Sequence, residues 1–175
     1  MNFEMITGMH SVGGGYISLR GFHLHNVPEK ISVDGYDLLK KGEFHITIMA
    51  LKNLAPMLNP DNMEEASEQL KQDFLEFVEN HNLANFHLTG EYRLVKRDEL
   101  MTVTAMVQLE NIDELFDYLR SKYGVNFPTQ PTHITMYTLQ PEIGISILSQ
   151  AELDQDSVVV DIPELANVEI DYGKD

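Results

Sequence analysis

The tripeptide His-Ile-Thr occurs twice in this chain, at His45-Ile46-Thr47 and His133-Ile134-Thr135, each inside a short apolar run. The first run reads Phe44 to Ala50 and the second Thr132 to Tyr137. A strand has a period of two, so His45 and Thr47 share one face, as do His133 and Thr135, while the isoleucines anchor the opposite face in a core. An imidazole and a hydroxyl presented twice in this way suit a symmetric acid/base site on a phosphate. Imidazole titrates near pH ~6.5 and can take or give a proton close to neutrality, and a hydroxyl can donate to phosphoryl oxygens.

The weight of the motif rests on its context. Seven His and nine Thr in 175 residues give about 0.4 His-x-Thr matches by chance, so a single copy carries little. A third match, His87-Leu88-Thr89, lies on an alternating strand with Phe86, Leu88, Tyr92 and Leu94 inward. That places His87 on the polar face, without apolar flanks on both sides, and it reads as the chance copy. Two further groups bear on the pair. Tyr137 shares the face of His133 and Thr135 by period two and could stack on a base or line a cleft, or equally be a strand aromatic packing at the sheet edge. Arg20, at the end of an N-terminal strand, could bind a phosphate, although an ordinary surface ion pair is its commoner role.

The elements that must position these residues can be read from periodicity. Tyr16 to Arg20 and Phe22 to His25 alternate as short strands after a flexible Gly13-Gly14-Gly15, and residues 44–50 form a third strand. Asn59-Pro60 opens a helix whose stripe is Met63, Ala66, Leu70, Phe74, Phe77 and Val78. Segments 86–95 and 101–109 form a hairpin around a solvated Lys96-Arg97-Asp98-Glu99 turn. In its second arm Met101, Val103, Ala105, Val107 and Leu109 face one way, and Thr102, Thr104 and Gln108 the other. A second helix runs from Asn111, read as a capping pair with Glu114, to Lys122, with Gly124 as its stop. Val158-Val159-Val160 and Val168-Glu169-Ile170 are closing strands. Antiparallel strands with separated helices predict an α+β fold, and no Gly-rich phosphate loop is present.

Composition narrows the function classes. With 175 residues, 43% of them hydrophobic, the chain can bury a core as one compact domain or as two small lobes sharing a cleft. It has no cysteine, which excludes disulfides, thiolate catalysis and cysteine-ligated metals. A formal charge of −16, from 12 basic and 28 acidic residues, opposes binding of duplex DNA or an anionic membrane at long range, but leaves a small nucleotide or an RNA end admissible. The amino-terminal residues show no secretory pattern and no apolar run is long enough to span a bilayer, so a cytoplasmic protein is expected. His23-Leu24-His25 could place two ligands for a metal on one strand face, with a nearby carboxylate as the third, although two solvent-facing histidines on an exposed strand are commoner. His81 is placed at a helix end, and His10 has no readable context.

The paired motifs, 88 residues apart and set in apolar strands, resemble those of the two-histidine (2H) phosphoesterase superfamily, which includes RNA 2′,5′-ligase-like proteins and cyclic nucleotide phosphodiesterases. The segment from Tyr137-Thr138 to Gly144-Ile145-Ser146-Ile147 is similar to the stretch beyond the second motif in some bacterial members. The resemblance implies a bilobal, pseudo-twofold arrangement of antiparallel sheets with outer helices and a central cleft holding both motifs. It also implies phosphodiester chemistry on 2′,3′-cyclic phosphates, 2′,5′-linked RNA ends or small cyclic nucleotides, without metal or other cofactor. By the same resemblance His45 and His133 are the catalytic pair, and Thr47 and Thr135 donate to phosphate oxygens. The alternatives are a non-catalytic nucleotide or RNA-end binding protein, and a metal-dependent hydrolase built on His23 and His25.

Overall fold

The structure is a computed structural model and describes residues 2–172. In chain order its strands and helices begin with β1 (Glu4–Met5), β2 (His10–Gly13), β3 (Tyr16–Leu19), β4 (His23–His25), β5 (Lys30–Val33), β6 (Tyr36–Lys40) and β7 (Ile46–Met49). Helices α1 (Leu51–Leu58) and α2 (Met63–Asn80) follow, then β8 (Phe86–Arg97), β9 (Leu100–Leu109) and α3 (Ile112–Tyr123). The chain continues through β10 (His133–Thr138), α4 (Gln150–Asp156), β11 (Ser157–Val160), a 3-10 turn (Pro163–Leu165) and β12 (Glu169–Asp171). The hairpins β1-β2, β2-β3 and β5-β6 are antiparallel, as are the pairings of β10 with β6, β7 and β9, of β11 with β8, and of β12 with β4. The fold is α+β. Among the described residues no helix is long and apolar enough to cross a membrane.

Two compact units divide the chain. One comprises Met1–Leu19, Thr47–Phe86 and Leu109–Gln130. Here β2 and β3 form a hairpin around Gly14 and Gly15, whose φ values of 61° and 85° suit glycine. A Cβ on Gly15 would also stand 2.8 Å from the Lys52 Cβ, so the triplet is a tight turn rather than a flexible point. Ala66, Leu70, Phe74 and Phe77 make the buried stripe of α2, while Met63, expected in it, is 52% exposed. On the same helix Asp73 is fully buried and accepts from Lys122 Nζ at 2.5 Å and from the Tyr123 hydroxyl, which pins α3 to α2.

Two caps differ from expectation. The α2 helix starts later than Asn59-Pro60: Asn62 takes the Glu65 N–H, and Asn59 instead closes a turn by accepting from Asp61. Ahead of it lies α1, an additional helix that contains Pro56. Asn111 precedes α3 at φ 68° without a side-chain cap bond, because its amide donates to the Asn82 carbonyl. Gly124 ends α3 at φ 64° as anticipated.

The other unit comprises Arg20–Ile46, His87–Gln108 and Pro131–Asp175. Its ladder runs β10-β9-β8-β11, with β6 on the other edge of β10 and β5 on β6. The turn between β8 and β9 is only Asp98-Glu99, because β8 extends to Arg97. Arg97, expected to be a solvated turn residue, is half-buried and clamped: it binds Asp156 at 2.7 Å, Glu152, and the Ser146 carbonyl at 2.7 Å. This clamp holds α4 and the stretch before it to β8, over a small core of Val95, Ile145, Ile147 and Leu153. Strands β4 and β12 form a separate two-stranded ladder.

Candidate active site

The site is built around β10, the strand carrying the second motif. Ile134 is fully buried and pairs with Ile46, also fully buried, at the start of β7. Cross-strand partners share a face, so both isoleucines point into the core and His133 and Thr135 point to the other side. In an antiparallel pair centred on Ile46 and Ile134, the residue before one lies beside the residue after the other. His45 is therefore set beside Thr135, on the face that carries His133. The regular strand is shorter than the expected 44–50: His45 immediately precedes it, and Leu51 already begins α1. Thr47, two residues along from His45, is half-buried and on the same side of the chain by period two.

The two imidazoles differ in how they are held. His133 is 9% exposed, and its Nδ1 lies 2.9 Å from the Pro131 carbonyl oxygen. A carbonyl can only accept, so Nδ1 carries the proton and Nε2 is left to exchange one. Burial lowers the His133 pKa, against which the Pro131 contact acts in the opposite sense. The half-buried His45 forms no ring hydrogen bond among the described residues. Its pKa is lowered to about 4, first by burial and then by the charges of Lys41, Arg20 and His133. Near neutral pH both rings are thus uncharged in the free protein.

Two cations, the half-buried Arg20 and the buried Lys41, act on His45 in a protein of charge −16. Arg20 follows β3 directly, but its side chain is only 12% exposed, with Glu43 3.6 Å away. The expected ion pair is present, with the exposed Glu43, while the burial of the Arg20 side chain lowers its pKa. Lys41 is not readable as a site residue from its neighbours in sequence. It is 9% exposed, its pKa is lowered by burial, and its interactions with Glu142 and Glu43 are Coulombic. The only signal in sequence is its place four residues before His45, ahead of Gly42, whose N–H donates to Glu142 at 2.8 Å.

Tyr137 is a correction. Thr135 pairs with Thr104, yet Tyr137 pairs with Val103, so Met136 is an extra residue that makes a bulge. The bulge turns Tyr137 to the face of Ile134, away from His133 and Thr135, and returns Thr138 to their face. Tyr137 is fully buried and its hydroxyl donates to the Pro28 carbonyl at 2.6 Å, so it positions β10 and is not available to stack on a base. Replacing Tyr137 with phenylalanine is expected to cost about 1 kcal/mol in urea unfolding, the value of one buried hydrogen bond, with KM for any ligand of the site unchanged.

The remaining histidines fall outside this face. His87 and Thr89 are exposed, and the Thr89 hydroxyl donates to the Met106 carbonyl. His23 and His25 are exposed on β4, where His25 Nε2 lies 3.1 Å from Asp171. Among the described residues no three His, Cys, Asp or Glu side chains are grouped to hold a metal. His81 follows α2 and stacks on Phe77, its Nδ1 3.0 Å from the Phe77 carbonyl. His10, opaque in sequence, is buried between the Leu83 carbonyl and the Thr7 hydroxyl, a structural role. A cavity of ≈ 440 Å³ lined by Val33, Asp34, Lys96 and Val158, among others, includes none of the candidate site residues.

The depressed His45 pKa has a consequence for stability. Between pH ~6.5, where an unfolded histidine takes up a proton, and about 4, where folded His45 does, the unfolded chain binds more protons. Stability therefore falls as pH drops through that window, by about 3 kcal/mol from this group alone, and His133 acts in the same direction. Urea midpoints measured from pH 7 to pH 4 should show the loss, and His45→Asn should remove the larger part of it. A wild-type midpoint independent of pH over this range would contradict the burial of His45 as a neutral ring.

No protein-family model, curated protein or solved structure matches the chain.

Proposed function

We propose that the protein is a metal-independent phosphodiesterase acting on 2′,3′-cyclic phosphates, 2′,5′-linked RNA ends or small cyclic nucleotides. The observation that carries this reading is the placement of His45 beside Thr135 on the face of His133, with Arg20 and Lys41 acting on His45. An in-line displacement at phosphorus needs a base for the water, an acid for the departing ribose oxygen, and donors for the non-bridging oxygens. The charges divide the first two roles. Burial lowers both pKa values; Lys41 and Arg20 add to that effect at His45, which suits the base, whereas the Pro131 carbonyl opposes it at His133, which suits the acid. Thr135 is set to donate to a phosphoryl oxygen, and Thr47 is given the matching role by its motif. The anionic substrate raises both imidazole pKa values on binding and makes the protonated His133 accessible. The pseudo-twofold, two-lobed cleft of the 2H resemblance belongs to this same reading.

The test is to offer 2′,3′-cyclic nucleotides, 3′,5′-cyclic nucleotides and 2′,5′-linked dinucleotides in EDTA and follow product formation. Turnover that survives chelation supports the reading, and activity that appears only on adding zinc or manganese overturns it. A second reading, a nucleotide or RNA-end binding protein without catalysis, draws on the uncharged state of both rings in the free protein. Tight binding of the same ligands with no product would favour it.

A further inference from the structure

Three threonine hydroxyls on the same face have no role in the displacement at phosphorus. Thr102, Thr104 and Thr138 are 0%, 1% and 1% exposed, and none of their Oγ1 atoms has a hydrogen-bond partner. Burying a hydroxyl without a partner is costly, so three together call for a reason. They are placed by register: Thr104 lies opposite Thr135, and Thr138 opposite Thr102. Directly opposed residues have Cβ atoms ~5 Å apart and residues two apart along a strand are separated by about 7 Å. The four threonines thus mark the corners of one hydroxyl-lined patch that continues the face of His133. Leu39, paired with Thr138, flanks the patch and is 42% exposed. Lys41 lies two residues beyond Leu39 on the same side, since Lys40 between them pairs with Tyr137 on the other.

The donors exceed what one phosphodiester requires. That group carries a single charge and two non-bridging oxygens, yet beside the ion-paired Arg20 the face adds the buried Lys41 and three further hydroxyls. We propose that Thr102, Thr104, Thr138 and Lys41 form a subsite for a second phosphoryl group of the substrate, next to the one placed over His45 and His133. This rests on the phosphodiesterase reading for what the neighbouring group is. The segment after Thr138 lies beside Thr135, where a Cβ added to Gly144 would stand 4.0 Å from the Thr135 methyl, and Glu142 accepts from the Gly42 N–H; a ligand reaching the buried hydroxyls must displace what encloses them.

The experiment titrates orthophosphate and pyrophosphate into the full chain by calorimetry in EDTA, alongside cyclic phosphodiester turnover. Wild type should prefer pyrophosphate by about tenfold or more. Thr102→Val and Thr138→Val should melt at a higher temperature, having lost an unpartnered hydroxyl, and yet lose the preference. Thr102→Ser and Thr138→Ser should keep it. Equal binding of the two anions by wild type, or a preference that survives in the valine variants, overturns the subsite. Preference without any turnover leaves the subsite standing and removes the phosphodiesterase reading. Turnover without preference does the reverse.

Discussion

Replacing His45 or His133 with asparagine should lower kcat for the best cyclic phosphodiester substrate by about 10²–10⁴-fold, the usual contribution of a positioned acid or base. Asparagine keeps a polar side chain of similar reach, so the loss reports proton transfer and not an emptied core. Because the two rings serve one displacement, the double variant should be little worse than either single one. The pair should also differ in pH dependence. His45→Asn should lose the acid limb of the kcat/KM profile and His133→Asn the alkaline limb, following the roles assigned by Lys41, Arg20 and the Pro131 carbonyl. Wild-type turnover in either variant removes that residue from the chemistry, and exchanged limbs reverse the acid and base.

The part of this site that could be read in sequence is the part fixed by local period. His45, Thr47, His133 and Thr135 flank isoleucines that any buried strand would turn inward, and both Ile46 and Ile134 are fully buried. The same period failed at Tyr137, because a bulge at Met136 depends on how β10 fits β9 and leaves no mark in β10 alone. The setting of His45 beside Thr135 follows from one non-local pair, Ile46 with Ile134, and could not be inferred from either segment. The burial of Lys41 and of the Arg20 side chain is likewise tertiary: no flanking residue marks either as enclosed, and here both lie near enough to act on His45. The threonine stripe of β9 was legible as one face, but its counterparts Thr135 and Thr138 join it only through register. Helix periods were clear, whereas their caps were not: Asn59 and Asn111 have the right residue type, yet their side chains serve a turn and the Asn82 carbonyl instead.

The charges around His45 set the second large effect, on the pH optimum. The kcat/KM profile reports the free protein, where His45 must be neutral and His133 protonated. With His45 at about 4 and His133 below its ordinary value, the bell should rise near pH 4, fall before ~6.5, and leave little kcat/KM at pH 8. Since each pH unit beyond the falling limb costs tenfold, kcat/KM at pH 8 should lie well over tenfold below its maximum. The kcat profile, which reports the complex, should lie at higher pH because bound phosphate stabilises both imidazolium forms. Lys41→Met tests the cause. Removing that positive charge should move the acid limb upward, narrowing the bell from its acid side, and should raise KM by about tenfold through the lost contact with the anion. An acid limb that stays in place in Lys41→Met would mean that burial and the charges of Arg20 and His133 depress His45 and that Lys41 has no hold on the base.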